Sequence, residues 1–209
     1  MKILFLCLFV VSFLFSQAKS GLPFLTHSTS AKRVSQGFAH GSFDQFFPAE
    51  FNPAFLGLAD NNSVSINQQT WLTDISFLGI GSIFSVGNMK FSGNVKYHSI
   101  DDISLMSDIA TQERLGSFSN YTAIASLSTS IELVENLHIG ISYKILREKL
   151  YLNMVSGSSY DFGMLFTTDI IDIYSSYENL GDTDKAELTY IIFPKLLSIG
   201  IRKSFFIVL

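Results

Sequence analysis

Two short stretches of this sequence contain residues that could do chemistry. Asp101 and Asp102 are adjacent carboxylates, and general acid–base catalysis uses this residue type. They lie in a polar stretch, however, where adjacent acids are more typical of a solvated loop tip. Residues 79–82 (GIGS) resemble part of a phosphate-binding loop, but the Lys and the following helix of that motif are absent. Neither stretch predicts an active site.

Metal-binding and nucleophilic side chains are also few. The histidines are too widely spaced for a metal-ligand motif, and they are His27, His40, His98 and His138. Cys7 is the only cysteine, and it lies within an N-terminal apolar run. These observations predict a protein that is not an enzyme and that uses no metal site and no cofactor.

The first residues have the pattern of a secretory signal. Lys2 supplies a positive charge, residues 3–15 are apolar, and the small residues Ser16 and Ala18 indicate cleavage after Ala18. We therefore predict a signal peptide over residues 1–18 and an exported mature protein. Because Cys7 would leave with the signal, the mature chain could form no internal disulfide.

The composition narrows the class of protein further. Only 15% of the residues are charged, 14% are aromatic and the net charge is −4. A negative net charge argues against a nucleic-acid partner, and the aromatic content argues against disorder. After the predicted signal, no run reaches the roughly 20 apolar residues that a spanning helix needs. Two exported classes remain: a soluble β-sandwich or lipocalin-like protein, and an outer-membrane β-barrel.

Residues 51–58 (FNPAFLGL) have the most specific local pattern. Pro53 fixes its own φ angle and disfavours the helical region for Asn52, so the chain should bend here. Asn52 can then cap a short helical turn whose first residue is Pro53, and Gly57 can end it. Two interpretations remain open. The turn is either a hinge that returns the N-terminal segment to the inside of the later strands, or an ordinary capped turn.

Residues 19–61 show no helical or strand period, although they contain many aromatic side chains. Such a segment indicates a plug or hatch that lies against a larger body, and a disordered leader is the alternative. The aromatic residues that suggest a plug are Phe24, Phe38, Phe43, Phe46 and Phe47.

From residue 62 almost to the end of the chain, apolar and polar side chains alternate, which predicts about eight antiparallel β-strands in residues 62–209. The sequence predicts tight turns at residues 86–89 and 132–136, a long polar connection over residues 100–119, and a strand end at 179–182. The clearest strand has Phe91, Gly93, Val95 and Tyr97 on one face and Ser92, Asn94, Lys96 and His98 on the other.

Alternation alone does not distinguish a soluble sandwich from a barrel. Rows of Ser, Thr, Gly and Asn that face away from apolar rows favour a barrel with a polar lumen and a lipid-facing wall. We also expect several tyrosines near the strand ends, where interfacial aromatic belts form. These residues are Tyr97, Tyr121, Tyr143, Tyr151, Tyr160 and Tyr177. The predicted fold class is therefore an all-β, antiparallel transmembrane β-barrel with an N-terminal hatch.

Seven short stretches, taken in order, resemble one family. They are residues 33–37 (RVSQG), 51–56 (FNPAFL), 71–75 (WLTDI), 140–144 (GISYK), 160–166 (YDFGMLF), 178–181 (ENLG) and 193–201 (FPKLLSIGI). Together they are similar to the PorV/PorQ branch of the FadL-type outer-membrane β-barrel proteins, which includes members from spirochaetes.

The resemblance implies a barrel of roughly fourteen strands around an N-terminal hatch. It implies that Asn52, Pro53 and Ala54, followed by Phe55, form the hatch motif. FadL-type proteins carry long-chain fatty acids and other hydrophobic compounds across the outer membrane, whereas PorV-type members serve as attachment or shuttle proteins in type IX secretion. Residues that we expect to contact a hydrophobic ligand are Phe43, Phe46, Phe47, Phe51 and Leu56.

The chain departs from this family in its strand count. Eight strands instead of about fourteen, and the loss of alternation at residues 204–209, suggest a truncated or frameshifted product that is part of a larger barrel. The predicted function is uptake of fatty acids or similar compounds at the outer membrane, with membrane lipid and an apolar ligand as partners. The alternatives are a PorV-like protein that binds secretion-system components and a soluble exported lipid-binding β-protein.

Overall fold

The structure is a computed structural model that describes residues 21–37, 39–71, 75–106, 115–184 and 192–203. Several predictions fall on residues outside these ranges. They concern the signal peptide over residues 1–18, Phe38, residues 72–74, the middle of the polar connection at 107–114, and the end of the chain at 204–209.

The described residues form an all-β protein with one antiparallel sheet of eight strands in the order β1 to β8. Each strand pairs with the next along the chain, so the predicted strand number, about eight, and the predicted antiparallel arrangement are confirmed. The strands are β1 (Ser63–Thr70), β2 (Ile75–Val86), β3 (Met89–Leu105), β4 (Gly116–Val134), β5 (Leu137–Leu150), β6 (Asn153–Thr167), β7 (Asp172–Thr183) and β8 (Leu196–Arg202). Within the described residues β1 and β8 do not pair, so the sheet is open.

The ends of the strands form two rims of the sheet. The predicted turn between β2 and β3 is confirmed, with Gly87 at φ +60° between the paired residues Val86 and Met89. The turns at 135–136 and 168–171 lie on the same side, together with the start of β1 and the end of β8. We call this side the first rim, and the opposite side, which contains the turn at 151–152, the second rim.

The two faces of the sheet have opposite environments, as β3 illustrates. Lys96 is 9% exposed, whereas its neighbour Val95 is 49% exposed. We call the face whose side chains are mostly buried the inner face and the other the outer face. On the inner face, the buried polar residues include Ser92, Asn94, His98, Ser128, Ser130, Ser142, Lys144, Ser159, Asp161, Ser176 and Glu178. On the outer face, the apolar residues that are exposed include Leu127, Ile139, Ile141, Ile145, Phe162, Met164, Phe166, Leu197, Ile199 and Ile201.

Two predicted boundaries are wrong because strands continue beyond the point where alternation stops. Residues 101–105 belong to β3 and residues 116–119 to β4, so the described ends of the predicted polar connection are paired strand. A bulge at Ile100/Ile103 keeps this pairing, with Asp102 at φ 53°. Likewise β7 does not end at 179–182, because a bulge opposite Tyr160/Phe162 lets it run to Thr183.

Two smaller predictions also need correction. The predicted turn at 132–136 is shorter, because β4 runs to Val134 and β5 begins at Leu137. The tyrosines are not confined to strand ends, since Tyr97 and Tyr143 lie near the middle of β3 and β5. Tyr143 contacts Tyr160 on the next strand, with ring centroids 5.0 Å apart, so this pair stabilises the outer face by cross-strand contact.

Residues 21–61, which we call the N-terminal segment, lie across the inner face. Their regular elements are one short helix, α1 (Ala31–Ser35), and three 3₁₀ turns, Pro23–Leu25, Pro48–Glu50 and Pro53–Leu58. Each 3₁₀ turn begins with a proline, which has no N–H to leave unpaired and has the required φ angle. None of the helices among the described residues is both long and apolar enough to cross a membrane.

Candidate functional site

The predicted capped turn at Asn52 is confirmed. Asn52 Oδ1 accepts a hydrogen bond from the backbone N–H of Ala54 at 2.9 Å, and Pro53 is the first residue of the turn. The turn does not end at Gly57, however, but continues to Leu58. The Asn52 side chain also reaches the sheet, because Nδ2 donates to the backbone carbonyl of Ser175 at 3.1 Å. Asn52 therefore caps its own turn and binds it to β7.

A pair of glycines on the inner face makes room for this turn. Gly140 on β5 and Gly163 on β6 are directly paired. A Cβ atom on Gly163 would lie 2.0 Å from Asn52 Oδ1, and one on Gly140 would lie 2.4 Å from the backbone carbon of Pro53. Only glycine allows the turn to approach the sheet this closely. We call the space that the two glycines leave the glycine notch. The sequence analysis did not single out either glycine and missed this role, although both lie in the stretches that carry the family resemblance.

Glu50 lies at the centre of a buried ionic cluster that joins the N-terminal segment to β3. Its carboxylate is 2.5 Å from Lys96 Nζ and 3.2 Å from Arg33 Nη1. It also accepts hydrogen bonds from the Ser28 hydroxyl and from the backbone N–H of Thr29. The Arg33 side chain is fully buried and donates further to the backbone carbonyl of Pro48 at 3.2 Å.

The electrostatics of this cluster favour a charged Glu50. Burial alone would raise the pKa of Glu50, but Lys96 and Arg33 outweigh it and lower the pKa to about 2. Burial also lowers the pKa of Arg33, against the opposing effect of Glu50. The cluster is therefore a fixed set of mutually compensating charges. The sequence analysis did not single out Glu50, and Arg33 entered it only as part of the stretch at 33–37.

A second buried polar cluster lies on the inner face of β5, β6 and β7. Lys144 Nζ is 2.6 Å from Asp161 Oδ2 and donates to Asn179 Oδ1 at 3.1 Å. Asp161 Oδ1 accepts from the backbone N–H of Asn179 at 2.8 Å, and Asn179 Nδ2 donates to the carbonyl of Pro194 at 3.0 Å. These four residues come from the stretches 140–144, 160–166, 178–181 and 193–201. Stretches that are separate in sequence thus meet at one place.

An aromatic cluster near the second rim brings two histidines together. The rings of His27 and His98 are 6.0 Å apart between centroids, and both pack against Phe77. Burial, with a further contribution from Lys96, lowers the pKa of His27 to about 4. Among the described residues, no group of three or more His, Cys, Asp or Glu side chains could hold a metal ion.

A cavity of about 580 Å³ lies between the N-terminal segment and β1. Its lining combines the apolar residues Phe46, Phe47, Val64 and Ile66 with polar and charged residues such as Asp44. This volume is in the range of cavities that bind small molecules. A second cavity of about 220 Å³ is lined by Phe43 and Phe46.

The five predicted ligand contacts are therefore in two different environments. Phe43, Phe46 and Phe47 line one or both cavities, and Phe46 is 49% exposed. Phe51 and Leu56 are fully buried in the packing between the segment and the sheet. Phe51 contacts the Arg33 guanidinium, whose carbon is 5.0 Å from the ring centroid.

Comparison with known proteins adds no family assignment. No protein-family model matches the chain, and a search of curated proteins finds no match. The functional argument therefore depends on the geometry of the two faces, the N-terminal segment and the cavity beside β1.

Proposed function

We propose that this chain is an outer-membrane β-barrel protein of FadL type that takes up long-chain fatty acids or similar hydrophobic compounds. The observation that carries the proposal is the arrangement of the two faces. In a water-soluble sheet the apolar face is buried and the polar face is exposed, whereas here the polar inner face is buried and the apolar outer face is exposed. Lipid is the environment in which an exposed apolar outer face is stable.

The N-terminal segment supports the hatch role within this proposal. It contacts β1 through Thr29, β3 through Glu50 and β7 through Asn52, so it crosses most of the inner face. A segment in this position would obstruct the inside of a barrel. The Asn52–Ala54 turn in its glycine notch corresponds to the hatch motif that the resemblance implies.

An apolar ligand would bind in the cavity beside β1. Phe46 and Phe47 offer aromatic surface there, and no catalytic group is required for passage. Passage through the barrel would require the N-terminal segment to move relative to the sheet. The ionic cluster at Glu50 would resist that movement, because separating Glu50 from Lys96 leaves buried charges unpaired.

The direct test is uptake of a labelled fatty acid by lipid vesicles that contain the purified protein. We expect faster uptake than in protein-free vesicles, and we expect Phe46→Asp to reduce it because a carboxylate would replace aromatic surface that an apolar ligand would contact. Ala39→Asp is the matched control, since Ala39 is exposed in the same segment and does not line the cavity. Equal uptake with and without protein would contradict the proposal.

Two further outcomes would replace the proposal by one of the alternatives. Recovery of the mature protein in the soluble fraction without detergent would indicate the soluble lipid-binding protein. Co-purification with secretion components, with no lipid bound and no uptake, would indicate the PorV-like attachment role.

A further inference from the structure

A row of three buried polar side chains on the inner face, towards the second rim, has no part in the proposed function. His98 on β3 pairs with Thr122 on β4, and Thr122 pairs with Glu148 on β5, so the three residues lie side by side across the sheet. Each of them is at most 5% exposed. The row therefore brings an imidazole, a hydroxyl and a carboxylate together away from bulk water.

The carboxylate in this row lacks the cation that other buried carboxylates have. Glu50 and Asp161 each lie within 2.6 Å of a lysine Nζ. Glu148 accepts one hydrogen bond, from the Thr122 hydroxyl at 3.2 Å, and forms no ion pair with any described residue. Its neighbour Lys149 does not serve, because successive side chains of a strand point to opposite faces. A buried carboxylate in this situation is unfavourable unless a proton or a positive ligand binds to it.

A cavity of about 50 Å³ adjoins the row. It is lined by His98, Thr122 and Glu148 on the sheet, by Phe24 of the N-terminal segment, and by Leu150 towards the second rim. Both ring nitrogens of His98 are buried and lack a hydrogen-bond partner in the part of the chain that the structure describes. At roughly 15 Å³ for each buried water, this volume admits about three waters or one small polar group. An uncompensated carboxylate and an unpartnered imidazole thus adjoin the same small space.

The groups around this cavity are complementary to a primary ammonium group. Such a group has three N–H donors and no acceptor. The Glu148 carboxylate, the Thr122 hydroxyl oxygen and an unprotonated ring nitrogen of His98 are three acceptors. The ring of Phe24, whose centroid is 4.7 Å from that of His98, adds an aromatic surface that attracts cations. An anion would be repelled by Glu148, and a quaternary ammonium ion has no N–H to donate.

We infer that this cavity binds the protonated primary amine of a ligand, with Glu148 as the counter-charge. The remainder of the ligand would extend past Leu150, which is 42% exposed, towards the second rim. Because Phe24 belongs to the N-terminal segment, the bound amine would contact both this segment and the sheet. The inference depends neither on the proposed membrane location nor on uptake of an apolar compound.

Calorimetric titration of the full chain in detergent with methylammonium chloride tests this site. We expect saturable binding of one ion per chain with a millimolar dissociation constant, because a ligand of two non-hydrogen atoms has few contacts to make. Tetramethylammonium at the same ionic strength should not bind. Glu148→Gln should weaken methylammonium binding at least tenfold, because it replaces charge-assisted hydrogen bonds by neutral ones. Glu178→Gln is the matched control, since Glu178 is a buried carboxylate of the same face that does not line the cavity.

Thermal unfolding of the unsubstituted chain provides a second measurement that needs no variant. A ligand that binds only the folded state raises the Tm, so methylammonium chloride should raise it above the value in an equal concentration of tetramethylammonium chloride. Absence of both methylammonium binding and this Tm difference overturns the inference. Equal methylammonium affinity in Glu148→Gln and the unsubstituted chain overturns it as well. Potassium or tetramethylammonium binding as tight as that of methylammonium would also overturn it, by showing a site for positive charge without recognition of N–H donors.

Discussion

The inner and outer faces of the same strands are held by different physical means. On the inner face, side chains such as Lys96 and Asp161 are buried and make specific ion pairs and hydrogen bonds. On the outer face, residues such as Val95 and Phe162 are about half exposed, and Phe162 lies directly opposite Ile141 on β5. The N-terminal segment is thus held by directional polar contacts together with apolar packing, such as that of Phe55 near Leu165, whereas the outer face depends on the surrounding medium.

Because the two faces are stabilised by different interactions, we expect them to respond differently to substitution. Removal of one buried partner on the inner face leaves an uncompensated polar or charged group. Substitution on the outer face should matter according to its depth in lipid and hardly at all in water. The four predictions below test this contrast, from the largest expected effect to the smallest.

Glu50→Ala should have the largest effect, because it leaves Arg33 and Lys96 buried without their carboxylate. We expect the free energy that holds the N-terminal segment on the sheet to fall by about 3–5 kcal/mol. Hydrogen exchange of the segment, followed by mass spectrometry, measures this opening. Asp60→Ala is the control, since Asp60 is exposed in the same segment, and equal exchange in both variants would contradict the role of the cluster.

Ile145→Lys tests the outer face near the middle of β5, where the side chain is 53% exposed. In lipid vesicles we expect a loss of about 2–4 kcal/mol in the free energy of unfolding, because a charge near the middle of a bilayer is poorly solvated. Leu133→Lys, near the first rim, should cost about 0–1 kcal/mol. Denaturant titration of both variants measures the difference. Equal small losses would indicate that the outer face does not contact lipid.

Gly163→Ala tests the notch in which the Asn52 turn lies. The new Cβ would meet Asn52 Oδ1 at 2.0 Å, so we expect displacement of the turn and a loss of about 1–3 kcal/mol. Gly93→Ala is the matched control in β3, because its nearest contact would be 3.4 Å from Ser82 Oγ. Thermal unfolding of the two variants compares them. A larger loss for Gly93→Ala would show that strand propensity and not the notch determines the result.

The smallest expected effect is a pH dependence at His27. Burial and Lys96 lower the pKa of this residue to about 4, below its ordinary value near 6.5. The folded state therefore binds fewer protons, so the contribution to stability is complete above pH 6.5 and is lost as the pH falls towards 4. His98 and Glu50 face the same cluster. Stability measured across this window should depend less on pH in His27→Phe, and an unchanged slope would contradict the assignment.

The sequence predicted the strands well because alternation is a local property. The number of strands, their antiparallel arrangement and the turn at Gly87 are all confirmed. The errors fall where alternation stops but backbone pairing continues, as at Asp102 and Asn179, both of which have positive φ angles at bulges. A bulge adds a residue to one strand and interrupts its apolar–polar alternation, while the backbone pairing continues beyond it. The alternation therefore ended before the strand did.

The candidate site was less accessible to sequence reasoning. The cap at Asn52 could be predicted because it uses residues two positions apart, and the structure confirms it. The Glu50 cluster could not, since its charges come from residues 33, 50 and 96. Similarly, Gly140 and Gly163 become a notch only when β5 and β6 pair and the turn approaches them.

By itself, the sequence determined which side of each strand is polar and where the N-terminal segment bends, because side chains alternate along a strand and proline restricts its own backbone. Only the tertiary structure decided that the polar side faces inward, that the N-terminal segment covers it and that Glu50 meets Lys96 there. The physical reason is that burial and charge pairing depend on distances between residues far apart in the chain. Local backbone preferences do not set those distances.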